Sequence, residues 1–190
     1  LETQALAKEP KKWKFKWTAL DANEDELVYD LFVRKEGWKD WIKIEDGWTK
    51  TEYEWDTSTM PSGLYQFRVV ASDRPDNPQA DALSAERVSL PLAISHEAPA
   101  VAMKFVNVEK GRAVLEGSAT SALVRLASAQ YAVDSGKWQN LFPAEGLFDS
   151  RSAKFHFESE ALPSGTHVVV VRVRDAAGNT GSADVVFSVK

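Results

Sequence analysis

The 190-residue sequence contains no cysteine. That excludes disulfides, thiolate zinc sites, iron–sulfur clusters and thiol nucleophiles. No run approaches the roughly 18 apolar residues that a membrane-spanning helix needs. Histidine is scarce, with His96, His156 and His167 as the only three, and no two share a helical spacing. HExxH, GxSxG, GxGxxG and GxxxxGK(S/T) are all missing, so the common signatures of metallopeptidases, α/β-hydrolases and nucleotide binders are absent. A net positive field is lacking too: the chain carries 23 basic against 28 acidic side chains, a net charge of −5. Non-specific nucleic-acid binding needs the opposite sign.

What is present divides unevenly. Residues 1–95 hold 13 Lys and Arg against 18 Asp and Glu, while residues 96–190 hold 10 of each. Six of the seven tryptophans lie in the first half, and only Trp138 lies in the second. Met60-Pro61-Ser62-Gly63-Leu64-Tyr65-Gln66-Phe67-Arg68-Val69 runs on to Asp73, and Leu162-Pro163-Ser164-Gly165-Thr166-His167-Val168 runs on to Asp175. Pro, Ser, Gly and the closing Asp recur in register, and Tyr29 and Tyr131 keep the same offset. So long a period predicts two similar domains, 1–95 and 96–190, rather than a solenoid. The chain opens at Leu1 with no charged and apolar leader, which predicts a mature portion or fragment of a longer polypeptide.

The local pattern has period two, the mark of half-buried strands. Trp13, Phe15 and Trp17 alternate with Lys14 and Lys16. Tyr29, Leu31 and Val33 share a face, as do Tyr65, Phe67, Val69 and Ala71. Val88, Leu90, Leu92 and Ile94 are expected on one face of a last strand, with Pro91 marking a sheet edge. In the second half the expected strands are 101–108, 112–119, 123–133, 153–159, 166–174 and 183–189, separated by Gly-containing turns. No helical stripe stands out. Leu1–Lys8 reads equally as a first strand or a lead-in.

These residues carry a resemblance. Trp17, the Tyr29-x-Leu31-x-Val33 strand and the Pro61–Val69 stretch resemble fibronectin type III and related immunoglobulin-like domains. The resemblance implies an all-β chain of two tandem antiparallel β-sandwiches. It places Tyr65 at a tyrosine corner, where a buried phenol bonds back to the preceding loop. His167 holds the matching place in the second half, so that corner must differ or be lost. The endings Asp73-Arg74-Pro75-Asp76-Asn77 and Asp175-Ala176-Ala177-Gly178-Asn179 resemble bacterial versions of such domains. Those are usually appended to larger extracytoplasmic proteins. The implied role is non-catalytic: a spacer or docking unit making protein–protein contacts, with a carbohydrate-binding accessory module as the alternative.

Candidate sites follow from the pattern. Phe32, Trp41, Arg68 and Val70 fall on the outward side of their strands and predict an exposed aromatic patch. Trp38 and Trp48, which bracket the same glycine-flanked strand, join it as the carbohydrate-stacking candidates. Trp13, Trp17 and Trp55 are expected in the core. Asp21, Asn23 and Asp25 place oxygen atoms at alternate loop positions, a weak match to a calcium loop that lacks the Gly and Glu of the full pattern. Asx-turn chemistry accounts for the same residues, and no cofactor is required. Other carboxylates, including Asp73 and Asp76, are expected in loops or on solvent faces. Lys12, Lys14 and Lys16 are expected to pair across strands with Glu52, Glu54 and Asp56.

Overall fold

The computed structural model describes residues 1–6, 9–78 and 80–190. The chain divides into two compact units, Leu1–Ile94 and Ser95–Lys190. Among the described residues every regular element is a strand, and no helix is long and apolar enough to cross a membrane.

The first unit contains β1 (Glu2–Leu6), β2 (Glu9–Lys16), β3 (Val28–Lys35), β4 (Ile42–Trp48), β5 (Glu52–Asp56), β6 (Gly63–Ser72), β7 (Ser84–Val88) and β8 (Leu92–Ile94). One sheet has the order β1-β2-β5, and the other has the order β4-β3-β6-β7 with β8 also beside β6. Of the stretch 1–8, Glu2–Leu6 is therefore a first strand, while Ala7 and Lys8 lie outside the described residues. The alternation read from the sequence decides which side chains enter the core. Phe15 of one sheet stacks on Phe67 of the other, ring centres 3.8 Å apart, and both are fully buried, with Leu31, Val33 and Tyr65 around them. Each such burial contributes on the order of 2 kcal/mol. Trp17 and Trp55 are buried, and Trp13 packs on the core margin.

On the outside of the first sheet the lysine stripe meets its acidic partners. Lys14 reaches Glu52 at 3.1 Å and Glu54 at 3.8 Å, and Lys16 reaches Glu52 at 3.7 Å. The Lys14 ammonium, then Lys16, holds the Glu52 carboxyl below its usual range.

The last strand differs from its expectation. It is broken into β7 and β8, with Val88 and Leu90 exposed while Leu92 and Ile94 are buried. Between the pairs Arg68–Val88 and Tyr65–Leu92, three steps along β6 oppose four along its partner. One extra residue reverses the side-chain alternation, so Val88 faces out and Leu92 faces in.

The second unit contains β9 (Ala100–Glu109), β10 (Arg112–Thr120), β11 (Leu126–Val133), β12 (Gln139–Leu141), β13 (Ser152–Ala161), β14 (Gly165–Asp175) and β15 (Thr180–Val189). Its sheets are β13-β10-β9 and β12-β11-β14-β15. Residues 123–125 precede β11 rather than extending it, and β12 is an additional strand. Leu115, Leu126, Val169, Val171 and Val173 are fully buried between the sheets. β15 enters close to the incoming chain: a Cβ on Gly181 would lie within 1.9 Å of the Pro99 carbonyl oxygen, so only glycine fits there.

Candidate functional site

The outward face of β4-β3-β6 in the first unit gathers most of the predicted patch. Phe32 of β3 lies opposite Arg68 of β6 and Lys43 of β4 in the ladder. The Arg68 guanidinium sits 4.4 Å from the Phe32 ring centre and 4.7 Å from that of Trp41. Arg34 lies 4.5 Å from the Trp41 centre, and Lys43 lies 5.5 Å from that of Phe32. Phe32, Trp41, Arg68 and Val70 are all half-buried. The face is thus a row of alternating cations and rings, each pair favoured by the ring quadrupole. The Arg68 Nε is buried between these rings with no hydrogen-bond partner.

The row is braced by hydrogen bonds and ion pairs. Arg68 Nη1 donates to Glu86 at 3.3 Å, and Arg34 Nη2 donates to Gln66 at 3.1 Å. Asp30, one step beyond Phe32, accepts two bonds from Arg74 at 2.9 Å each, one from Lys43 at 3.1 Å and one from the Gly47 amide at 3.0 Å. The Arg74 bonds, with help from Gly47 and Lys43, hold the Asp30 carboxyl well below the usual carboxylate range. This forked arrangement is the strong kind of charged hydrogen bond.

The other two tryptophans sit elsewhere on the unit. Trp38 is partly exposed and meets Tyr65 edge-on at 5.8 Å. Trp48 packs against the core margin, edge-on to Tyr53 at 5.3 Å, with its indole N–H donating to the Glu52 carbonyl at 3.0 Å. Burial, reinforced by Glu45, pushes the Tyr53 phenol up to about 12. Ile42 is 49% exposed, whereas Ile44 packs against the core.

The acidic loop gains a member the sequence did not single out for it. Asp21, Asp25 and Asp73 bring carboxylate oxygens within 4.8 Å of one another. Asp73 lies in the loop that follows β6, in keeping with the expected loop position, but it is buried there, and Leu83 N–H donates to its Oδ1 at 2.7 Å. Asn23 N–H donates to Asp21 Oδ1 at 2.8 Å. Asp25 N–H donates to the same oxygen at 3.2 Å, and Asn77 Nδ2 donates to Asp25 at 3.0 Å. Three clustered carboxylates have the chemistry a hard cation prefers. Each of the three already accepts a protein N–H donor, and the bond from Asn23 to Asp21 is an Asx turn.

The corners distinguish the units. Tyr65 donates its hydroxyl to the Pro61 carbonyl at 2.7 Å, completing the tyrosine corner. In the second unit the His167 imidazole keeps that bond, with Nε2 2.9 Å from the Pro163 carbonyl. Its Nδ1 lies 2.5 Å from the Asp134 carboxylate. Two acceptors facing two ring nitrogens favour the doubly protonated imidazolium. The Asp134 bond first, then Pro163, raises the His167 pKa above 6.5, and His167 in turn lowers that of Asp134. With both nitrogens engaged, His167 offers no free base. His156 is exposed, 3.9 Å from Glu116.

No family model and no curated protein matches the chain. Solved structures do. The FN1–FN3 domains of chicken CNTN1 align at 17% identity over 94% of this chain and 62% of that one, with a TM-score of 0.39. The fibronectin(III)-like modules of Clostridium thermocellum CbhA align at 16% identity over 95% of this chain and 86% of that one, also at 0.39. The chain therefore spans less than two thirds of the CNTN1 chain. The strand orders stand independently of these overlaps: three strands against five in the first unit and three against four in the second, with a corner closing the turn into the sixth strand of each. Each unit is by its own strand order an antiparallel β-sandwich.

Proposed function

We propose that the pair is a non-catalytic interaction module of a larger extracytoplasmic polypeptide, and that the outward face of β4-β3-β6 docks a protein. The observation that carries this reading is the row Arg34, Trp41, Arg68, Phe32 and Lys43. Arginine and tryptophan, with tyrosine, are enriched among the anchors at protein interfaces. Here they are held on paired strands, so little side-chain freedom remains to be lost on docking. Sugar stacking needs an open ring face, and two guanidiniums already lie over Trp41.

The test is hydrogen exchange at the β3 and β4 amides, compared between the isolated pair and the same residues in the full-length polypeptide. Slower exchange at Phe32 and Lys43 in the full-length protein, reversed by Trp41→Ala, is the expected result. Equal rates in both would sink the docking reading. Trp41→Ala is expected to cost the isolated pair no more than about 1–2 kcal/mol on denaturant unfolding, because it loses cation–ring contacts rather than a core side chain. A saturable tryptophan fluorescence change with a soluble polysaccharide would favour the carbohydrate alternative instead.

A further inference from the structure

The second unit carries a different polar feature at one end of its sandwich. The loop between β10 and β11 and the segment entering β13 are laced together. Ser121 N–H donates to the Arg151 carbonyl and Leu126 N–H to the Ser150 carbonyl, each at 2.8 Å. Two arginines strap the same loops in reciprocal fashion. Arg125 Nη1 donates to the Phe148 carbonyl at 3.1 Å, and Arg151 Nη1 donates to the Ala122 carbonyl at 2.9 Å. Between them lies an open depression of about 720 Å³, lined by Thr120, Ser121, Arg125, Asp149, Ser150 and Arg151 among others.

Three observations mark it out. Each guanidinium has five N–H donors, and each spends one on a backbone carbonyl, which fixes its position and leaves the rest of the fork open. Among the described residues neither arginine has a carboxylate within ion-pair distance, although Asp149 shares the rim. Finally, Ser121 is 4% exposed and its hydroxyl has no hydrogen-bond partner, a costly state for a buried polar group. Two arginines against one aspartate leave the depression a net positive charge in a half whose formal charge is zero. Besides the two arginines its lining holds Thr120, three serines, Asp149 and Ala122, with no aromatic ring.

We propose that this depression is an oxyanion-binding site that takes the carboxylate of an acidic sugar. Forked guanidinium donors match a carboxylate in geometry and charge. The hydroxyl rim and a volume far larger than an inorganic ion suit a hydrated, polyhydroxylated body behind that carboxylate. The site lies in the second unit and is independent of the docking face of the first.

Amide spectra of the intact 190-residue chain test it, titrated with glucuronate at constant ionic strength. Saturable shifts at residues 120–126 and 149–152 are expected, with a dissociation constant of about 1–10 mM. Glucose at the same concentrations is expected to move neither loop. Arg125→Gln is expected to weaken binding roughly tenfold, the scale of losing one charged contact. Arg151→Lys keeps the charge, loses the fork and is expected to bind weakly too. The thermal midpoint of each variant checks that the unit remains folded. No saturable shift in the unmodified chain would overturn the proposal, as would equal binding of glucose. Binding of sulfate or phosphate without glucuronate would overturn it as well, since the site would then select a bare ion.

Discussion

At the scale of single residues, one structural duty is performed by two chemistries. Tyr65 and His167 occupy matching places after Pro-Ser-Gly, and each ties its ring to the proline carbonyl four residues back. The tyrosine does so at any pH at which its phenol keeps the proton, and burial raises its pKa further. Tyr65→Phe keeps the ring and its packing against Trp55 and Trp38 but leaves the Pro61 carbonyl without its donor. A loss of about 1–2 kcal/mol on urea unfolding is expected; no measurable change would mean that water replaces the hydroxyl. The sequence showed that the second corner must change at His167. It did not show what replaced it, because the second partner, Asp134, lies 33 positions away and reads locally as a turn residue.

At the scale of the element, both units manage a break in strand register with the same serine device. Ser89 Oγ accepts the Phe67 amide at 3.0 Å and donates to the Leu90 carbonyl at 2.8 Å. Ser159 Oγ accepts the Ala113 amide at 2.9 Å and donates to the Glu160 carbonyl at 2.7 Å. Each hydroxyl takes over where a bulge pulls the ladder out of register, so the buried amide opposite is not orphaned. Ser89→Ala is expected to cost about 1–3 kcal/mol, since the Phe67 amide would be left buried and unpaired; a cost within experimental error would show that β7 and β8 re-pair without it. These bulges limited what the sequence could reveal. Alternation fixed β2, β3, β5 and β6 well, because each runs against its neighbour with one face in the core. It failed across Ser89–Pro91, where one inserted residue changes the parity that the pattern assumes. It also passed over β12, whose three residues are too short to show a period. The outward patch was legible at Phe32, Trp41, Arg68 and Val70 from parity alone, whereas Trp38 and Trp48 needed the turns around them to be known. Asp73 joined Asp21 and Asp25 only through pairing of β3 with β6, a long-range fact that no local spacing contains.

At the scale of the whole molecule, the two units have separate cores and opposite responses to pH. The first has no histidine, and its strongest titrating contact is Asp30 beneath Arg74. Because the folded pKa of Asp30 is depressed, its contribution is present above the unfolded value of 3.8 and is lost as pH falls through the folded value. In the second unit the folded pKa of His167 is raised. Its contribution is complete below the unfolded value of 6.5 and is lost as pH rises through the folded value. Asp134, depressed by the same bond, adds its share above 3.8. The corner of the second unit is therefore strongest between about pH 4 and pH 6.5. Six of the seven tryptophans report on the first unit, so fluorescence follows one sandwich while far-ultraviolet circular dichroism follows both. Raising the pH from about 5 to about 8 is expected to lower the transition seen by circular dichroism alone and to leave the fluorescence transition in place. Below about pH 4 the fluorescence transition is expected to fall as well. His167→Phe removes the imidazolium and is expected to abolish the shift on the alkaline side while leaving the acid side of the first unit intact. If both transitions moved together from pH 5 to 8, or if the variant kept the alkaline shift, the His167–Asp134 corner would not be its source.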